Sequence, residues 1–373
     1  MRRKLEVPIT PVVLDWAIAE SGLSLAEVAT GVGVDEHDVQ AWRSGDVKPA
    51  VTELRRLAKN LHRQMAVFLL PNVPASPRLQ VQFRHPFGAQ RMRELSPGER
   101  RFLRRAKRLQ DAQAWLVAEL GREQPDMPQV SIGADSASVA SVWRERLGIS
   151  VAAQLAWRSA SVAFDAWRNA VETLGITAVQ FSMGSKACRG FSLWDDSSPL
   201  IAVNTAWTDE ARSFTLFHEF GHLLTRTDSA CASAPVTADA GDSTERWCEA
   251  FAAAILIPAS ALSDVRRVDT LAALSALARR LKTSLRATAV RLIELGKASW
   301  SLYDKIPPVS DSKKKGGGGT GRNRREIRED EFGRRTTEMF VSAVRRDIIS
   351  ESQALDYLDI PSSEFERLTA VVS

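Results

Sequence analysis

The sequence predicts an α+β fold in which helical segments flank a short run of strands. Over most of the 373 residues, apolar side chains recur at helical spacing. Between residues 176 and 204 the pattern changes to short apolar runs bounded by turn residues, which predicts strands. A stretch rich in lysine and glycine at 313–321 predicts a flexible loop before the last helical segment.

The composition is that of a globular protein with more than one domain. Hydrophobic residues make up 44% and charged residues 25% of the chain, which excludes disordered and collagen-like classes. No run approaches the roughly 18 uncharged apolar residues of a membrane span, so no membrane partner is expected. The first residues lack the apolar core of a secretory signal, and three cysteines, an odd number, are typical of reduced thiols. A cytoplasmic location is therefore expected.

The first seventy residues have the outline of a helix-turn-helix unit. Ser24 with Glu27 three residues later forms a capping box, which predicts the start of a helix. Asp35 can cap the next helix after a turn that contains Gly33. The predicted helices are 12–19, 25–29, 36–43 and 51–61.

The elements that follow are longer. Residues 73–125 are dotted with proline and then carry a long helix whose polar faces are rich in arginine. Residues 176–204 hold the predicted strands. The predicted helices are 99–120, stretches within 136–174 that break near Gly148, 208–224, 244–257, 271–295 and a segment from 332 onward; the predicted strands are 176–181, 190–194 and 199–204.

These elements predict five segments along the chain. Helical segments occur at both ends, and the strands lie in the long central segment. The segments are an all-α helix-turn-helix domain (1–72), a basic connector with a long helix (73–125), a domain with a small β-sheet (126–306), a flexible loop (307–325) and a helical C-terminal segment (326–373).

The most specific pattern is His218-Glu219-Phe220-Gly221-His222, which lies within an apolar run. On a helix, His218 and His222 lie one turn apart on the same face, so their ring nitrogens can bind one zinc ion. Glu219 is predicted to be the catalytic base that deprotonates a water activated by that zinc. Gly221 removes a side chain where a strand or a substrate backbone can pass close.

A catalytic zinc site needs a third protein ligand. The remaining histidines all lie within the first 85 residues, so a carboxylate is expected. Glu245 and Glu249 lie one turn apart on a predicted helix; we favour Glu245 as the zinc ligand and Glu249 as the carboxylate that orients a histidine. The reverse assignment stays open at this point. Arg291 and Tyr303 are candidates to stabilise an oxyanion, although nothing in the sequence places either one.

The residues around this motif carry a resemblance to a known family. Residues 212–222 and 245–252, with Leu256-Ile257-Pro258 after them, resemble the ImmA/IrrE family of metallopeptidases. Asn204 after an apolar strand also fits. The resemblance extends over residues 140–300.

The resemblance implies a compact zincin-like metallopeptidase domain. It implies zinc bound by His218, His222 and Glu245, with Glu219 as the general base. It also implies a protein substrate, namely a transcriptional repressor or an antitoxin. The chain departs from the family at Glu249, where the family usually has asparagine, and the extra carboxylate alters the surroundings of the metal.

The N-terminal helices resemble the XRE-type helix-turn-helix of repressors, which implies double-stranded DNA as a partner. Gln40 can contact a base edge, and Arg43 and Lys48 can contact the phosphate backbone. However, residues 1–63 hold nine Lys/Arg and nine Asp/Glu, and the second helix of the unit begins with acidic residues, which opposes DNA binding. Docking of a protein, or a purely structural role, is the alternative.

Two functions are consistent with these patterns. The first is a zinc-dependent endopeptidase that cleaves a repressor or antitoxin and so relieves repression under stress. The second is a DNA-bound regulator whose zinc domain senses or docks a partner without turnover. Glu219 beside both histidines favours the enzyme, because a sensor has no need of a general base.

Overall fold

The computed structural model describes residues 5–74, 82–83, 95–227, 229–231, 243–307, 324–358 and 360. The chain forms two compact units, Met1–Gln80 with Glu94–Arg105 and Val81–Arg93 with Ala106–Ser373. Most of the predicted glycine-rich loop, and residues 75–81 and 84–94 of the basic connector, lie outside the described residues, so the division into five segments stays a prediction. No helix in the described ranges has the length and apolarity needed to cross a membrane.

The first unit is a set of short helices around one apolar core. The carboxylate of Glu27 accepts a hydrogen bond from the N–H of Ser24, and the Ser24 hydroxyl accepts one from the N–H of Glu27, which confirms the predicted capping box. Its core residues include Leu14, Val28, Trp42 and Phe68. The helices are α1 (Pro11–Ser21), α2 (Leu25–Val32), α3 (Glu36–Ser44) and α4 (Val51–Asn60), followed by a 3-10 helix at Met65–Leu69.

Helices occupy residues 97–173, before the three longest strands of the sheet. The long helix α5 (Pro97–Glu119) contributes residues 97–105 to the first unit and 106–119 to the second. The predicted break near Gly148 is confirmed, since this residue has φ +67° between two helices. The helices after α5 are α6 (Ser136–Arg146), α7 (Val151–Ala156) and α8 (Ala160–Thr173).

One mixed sheet forms the centre of the second unit, and the chain is therefore α+β and mostly helical, as predicted. Its strands are β1 (Gln82–Phe83), β2 (Thr177–Phe181), β3 (Gly190–Leu193), β4 (Leu200–Asn204) and β5 (Ser229–Cys231), in the spatial order β1-β5-β3-β4-β2. β3 and β4 form an antiparallel hairpin, and β2 runs parallel to β4. β2, β3 and β4 are buried along their whole length because helices pack on the sheet.

Helices make up the rest of the described chain. One prediction was wrong: 271–295 is two helices, because Lys282 adopts a left-handed conformation and the Ser284 hydroxyl caps the next helix. The apolar residues keep their helical spacing from 271 to 295, but the cap at Ser284 starts a new helix within that stretch. The helices are α9 (Asp209–Thr225), α10 (Ser243–Leu256), α11 (Leu271–Leu281), α12 (Leu285–Glu294), α13 (Trp300–Tyr303), α14 (Arg324–Arg345) and α15 (Glu351–Leu358), with a 3-10 helix at Ala259–Leu262.

A buried ion pair on α8 fastens α14 to the sheet-containing unit. The Nε of Arg168 lies 3.5 Å from the carboxylate of Glu172, and both side chains are buried. Arg168 also donates to the carbonyls of Asp330 and Glu331, while Glu172 accepts the N–H of Arg335. Because a buried ion pair is costly to leave half-made, these bonds favour one position of α14.

Gly333 makes this contact possible. It interrupts α14 with φ +80° and ψ +164°, a conformation open essentially only to glycine. A Cβ at this position would overlap the carboxylate of Glu172. We expect Gly333→Ala to lower the free energy of unfolding by about 2–3 kcal/mol, measured by denaturant titration.

Gly296→Ala is the matched control. Gly296 also has positive φ, +69°, but no atom of the described chain lies within 4 Å of the point that a Cβ would occupy. We expect this substitution to cost only about 1 kcal/mol. If both variants lose the same free energy of unfolding, the close contact of Gly333 with the Glu172 carboxylate does not hold α14 on α8.

Candidate metal centre

Helix α9 is the central helix of the second unit. Thr208 caps its N-terminus by accepting a hydrogen bond from Ala211, and the acidic Asp209 and Glu210 in the first turn suit the positive end of the helix dipole. Every residue from Ala211 to Thr225 is buried except Phe214. A helix buried all round holds its side chains in fixed positions, as a metal site requires.

Three side chains that could bind a metal ion converge where α9 meets the start of α10. The Nε2 atoms of His218 and His222 are 3.2 Å apart. The two carboxylate oxygens of Glu245 lie 3.1 Å from Nε2 of His218 and 3.3 Å from Nε2 of His222. The histidines are almost fully buried, and the Glu245 side chain is 20% exposed, so the cluster is reached from one side.

The donor set fits a zinc ion. Zinc binds histidine nitrogens and carboxylate oxygens at about 2.0–2.2 Å, so neighbouring donors of a tetrahedral site lie about 3.3 Å apart. The three observed separations are close to that value. Two histidines and one carboxylate leave a fourth position for water or substrate, as in catalytic rather than structural zinc sites.

The electrostatics of the cluster also favour a bound cation. Burial lowers the pKa of His218, but the hydrogen bond to Glu245 and the charges of Glu245, Glu219 and Glu249 outweigh it, so the pKa is raised. Burial raises the pKa of Glu245, but its bonds to the two histidines outweigh that effect and hold its pKa far below the usual range. The cluster thus attracts positive charge, which a metal ion supplies in place of protons.

Gly221 allows α9 and α10 to approach closely. A Cβ on Gly221 would lie 3.0 Å from the sulfur of Cys248 and 3.3 Å from its Cα. The expected neighbour, a strand or a substrate backbone, was wrong, because α10 occupies that space. Cys248 is buried at this contact, and the close approach brings the first turn of α10, with Glu245, up to the two histidines.

Glu219 is directed toward the sheet and held there. The hydroxyl of Ser192 on β3 donates a 3.0 Å hydrogen bond to Oε2 of Glu219, and both side chains are fully buried. Gly190, two residues earlier on β3, leaves the room that Thr215 and Glu219 occupy. The strand therefore fixes the carboxylate one residue along from His218.

A threonine orients His222. Nδ1 of His222 lies 2.9 Å from the hydroxyl of Thr227, which lies 2.8 Å from the hydroxyl of Thr225. When Nδ1 donates its proton to Thr227, Nε2 presents its lone pair to the cluster. Such outer partners set the tautomer and the ring orientation of a ligating histidine.

The structure brings some predicted residues together and leaves others apart. Within the described chain, the metal-competent cluster contains Glu245 but not Glu249, which lies one turn further along α10. The Nε of Arg291 donates to the carbonyl of Ile257 at the far end of α10, about 18 Å along the helix from Glu245 at 1.5 Å per residue. Tyr303 accepts a hydrogen bond from Arg286. Neither of these contacts places an oxyanion donor at the cluster.

The three residues expected to contact DNA lie in the first unit. Arg43 donates to the carboxylate of Asp15 at 2.5 Å and to the side-chain oxygen of Gln40 at 2.9 Å. Lys48 is exposed after α3. The guanidinium of Arg43 is therefore bonded within the unit, whereas the side chains of Gln40 and Lys48 are exposed to solvent.

Ser192 and Thr227 were absent from the sequence prediction. A serine within an otherwise apolar buried strand is a signal that a buried hydroxyl has a partner. Thr227 lies five residues after His222 and beyond the end of α9, and nothing local marks it as a partner of the histidine. Both contacts depend on how strand and helix pack.

Two histidines and a carboxylate, with a glutamate next to the first histidine, form a candidate metal site of the kind found in metal-dependent hydrolases. Comparison with family models matches residues 171–293, about a third of the chain, to the peptidase M78 family, described as an IrrE N-terminal-like domain. The matched residues include β2, β3, β4, α9 and α10, and so all three donors. This match supports a metallopeptidase domain of the IrrE/ImmA type. No match was found among curated proteins or among solved structures.

The two glutamates of α10 can be separated by metal analysis. We expect Glu245→Gln to weaken zinc affinity by more than about 100-fold, because it removes the negative charge from the cluster. Glu249→Gln, one turn along the same helix, should weaken it by less than about 10-fold. Zinc content of the purified proteins and competition with a chromophoric chelator measure both. Loss of zinc from Glu249→Gln alone would reverse the assignment.

The role of Thr227 can be tested by removing its hydroxyl. We expect Thr227→Val to weaken zinc affinity by about 10–100-fold, because His222 loses its orienting partner. Thr227→Ser keeps a hydroxyl and should retain affinity within about 3-fold of the wild type. If the valine and serine variants bind zinc equally well, the hydroxyl does not orient His222.

Proposed function

We propose that the chain is a zinc-dependent endopeptidase that cleaves a regulatory protein, a transcriptional repressor or an antitoxin. The observation that carries the proposal is the convergence of His218, His222 and Glu245 on one point, with Glu219 held beside them by Ser192. The first three provide a metal site with an open position, and the fourth provides a base. The family match supports a peptidase over other metal-dependent hydrolases.

A zinc ion bound by the three donors would supply Lewis acidity toward water and toward the scissile carbonyl. The residues of the chain perform the proton transfers. Glu219 accepts a proton from the attacking water as the C–O bond forms, and then delivers that proton to the amine nitrogen as the C–N bond breaks. Ser192 holds one oxygen of the carboxylate, which keeps Glu219 in one position through both transfers.

The regulator that docks a partner without turnover is the competing function. It would need the three metal ligands but not a positioned base. In this chain a buried carboxylate follows the first ligand directly and has a dedicated hydrogen-bond donor on the adjacent strand. Keeping a buried carboxylate costs free energy unless it is hydrogen-bonded, and a sensor would not benefit from it.

DNA binding by the first unit stays a prediction. The turn between α2 and α3 and the exposed Gln40 and Lys48 favour it. The ion pair of Arg43 with Asp15 and the absence of net charge over residues 1–63 oppose it. Delivery of the peptidase to a protein substrate is a role of this unit that does not require phosphate contacts.

Glu219→Gln tests the enzyme directly. We expect this variant to keep its zinc and to lose at least about 100-fold in cleavage rate, because it removes the general base without removing a ligand. Cells expressing the full-length wild type or Glu219→Gln would be compared by mass spectrometry of protein N-termini. New N-termini should appear in a few regulatory proteins with the wild type only.

Two controls make the comparison decisive. Zinc content of the purified Glu219→Gln protein shows that the site is intact, and Glu245→Gln should abolish the same cleavages by loss of metal. The candidate substrate is then purified and cleaved by the zinc-loaded wild type alone. Identical N-termini in cells with the wild type and with Glu219→Gln would refute the proposed activity.

A further inference from the structure

A second cavity lies within the sheet-containing unit, at the C-terminal end of α10. Its volume is about 620 Å³, within the range of pockets that hold small organic ligands. Its lining comes from α6, from the turn before α7, from the last turn of α10 and the residues that follow it, and from α12. The walls are mostly alkyl groups, including Ala140, Ile149, Ala254 and Pro258, and two arginines, Arg144 and Arg291, also line it.

Arg144 is a buried cation that has no carboxylate partner among the described residues. It is 7% exposed, and it donates to the carbonyl of Ile255 and to the side-chain oxygen of Gln154. Its guanidinium also lies over the ring of Trp167. Burial lowers the pKa of Arg144 to about 10. A buried charge that is not fully compensated is unfavourable, so its retention needs an explanation.

Capping of α10 explains only part of this arrangement. Arg144 donates to the carbonyl of Ile255, Gln154 to that of Leu256 and Arg291 to that of Ile257. The neutral Gln154 shows that such a bond needs no charge. A helix C-terminus offers only about half a unit of negative charge, which here faces two arginines.

No other charged residue in the described lining of the cavity neutralises Arg144. The second arginine, Arg291, has its own carboxylate partner, Glu294, at 3.0 Å. Glu145, a carboxylate of the lining, is exposed. Ser141, Ser150 and Ser260 also line the cavity.

We propose that this cavity binds a small organic anion, with its carboxylate or phosphate group on Arg144 and an apolar body against the alanine, isoleucine and proline side chains. Arginine is suited to this role because its planar donors match the oxygens of either group. The cavity is separate from the metal centre. Ala254 lies nine residues after Glu245 on α10, about 13 Å along the helix.

The test measures the thermal unfolding of the full-length, zinc-loaded protein at constant ionic strength. Benzoate and phenyl phosphate are the anionic probes, and benzamide is the neutral molecule of nearly the same shape as benzoate. We expect an anion at ten times its dissociation constant to raise Tm by about 2–3 °C and benzamide to leave it unchanged. The anion with the larger effect identifies the preferred head group.

Variants assign the effect to Arg144. Arg144→Gln should lose the response, whereas Arg146→Gln on the same helix, which contacts Asp126 instead, should keep it. Because Arg144→Gln also alters the cap of α10 and can impair folding, a second pair is needed. Ser141 is exposed, lines the cavity and precedes Arg144 by one helical turn. A glutamate there can pair with Arg144 and compete with the ligand.

We therefore expect Ser141→Gln to bind the anion with the affinity of the wild type, as judged from the dependence of Tm on anion concentration. The affinity of Ser141→Glu should be at least about 10-fold lower. That result supports the site even if Arg144→Gln does not fold. Equal responses to benzoate and benzamide, equal responses of the two Ser141 variants, or no response to either anion would overturn the proposal.

Discussion

The close approach of α9 and α10 at Gly221 is the contact on which the metal centre depends. Two histidines one turn apart on α9 supply two nitrogens, but the third donor comes from another helix. The glycine at this position makes the approach close, because a Cβ there would lie only 3.3 Å from the Cα of Cys248 and 3.0 Å from its sulfur. This packing carries the first turn of α10 to the histidines, so that Glu245 reaches both of them.

Buried hydrogen bonds from other elements complete the geometry. β3 supplies Ser192 to the Glu219 carboxylate, and the residues after α9 supply Thr227 to His222. A buried polar group without a partner is costly, so each of these bonds also restrains the segment that provides it. The middle strand of the sheet and the end of α9 are thereby tied to the residues that carry the proposed chemistry.

Segments outside the matched family domain complete the unit around the sheet. The buried Gln113 of α5 accepts hydrogen bonds from Thr177 of β2 and from Ser198, and it donates one to Thr336 of α14. The ion pair of Arg168 with Glu172 also holds α14. Residues 171–293 alone would leave these polar groups of β2 and α8 without their partners.

Helix α10 connects two chemically different places. Its first turn carries Glu245 at the metal centre, and its last carbonyls meet Arg144 and Arg291 at the cavity. A helix of fourteen residues is about 21 Å long, so the two places share a rigid element without sharing side chains. The cavity and the metal centre thus lie at opposite ends of the same helix.

Local patterns in the sequence were sufficient for several features. The capping box at Ser24, the break at Gly148 and the strands at 177–181, 190–193 and 200–204 depend on neighbouring residues and on period, and the structure has them. The pair of histidines follows from the helical repeat in the same way. The break at Lys282 was missed because a short cap competes with a periodicity that runs through it.

The remaining features depend on contacts between residues far apart in the chain, which periodicity does not encode. The sequence favoured Glu245 over Glu249 as the ligand but left the reverse assignment open, and the docking of α10 on α9 brings Glu245 into the donor cluster. Ser192, Thr227, the fastening of α14 and the buried Arg144 likewise appear only when helices and strands pack. The sequence by itself determined which side chains are capable of binding metal; tertiary packing decided which of them meet, because burial fixes partners across the fold rather than along the chain.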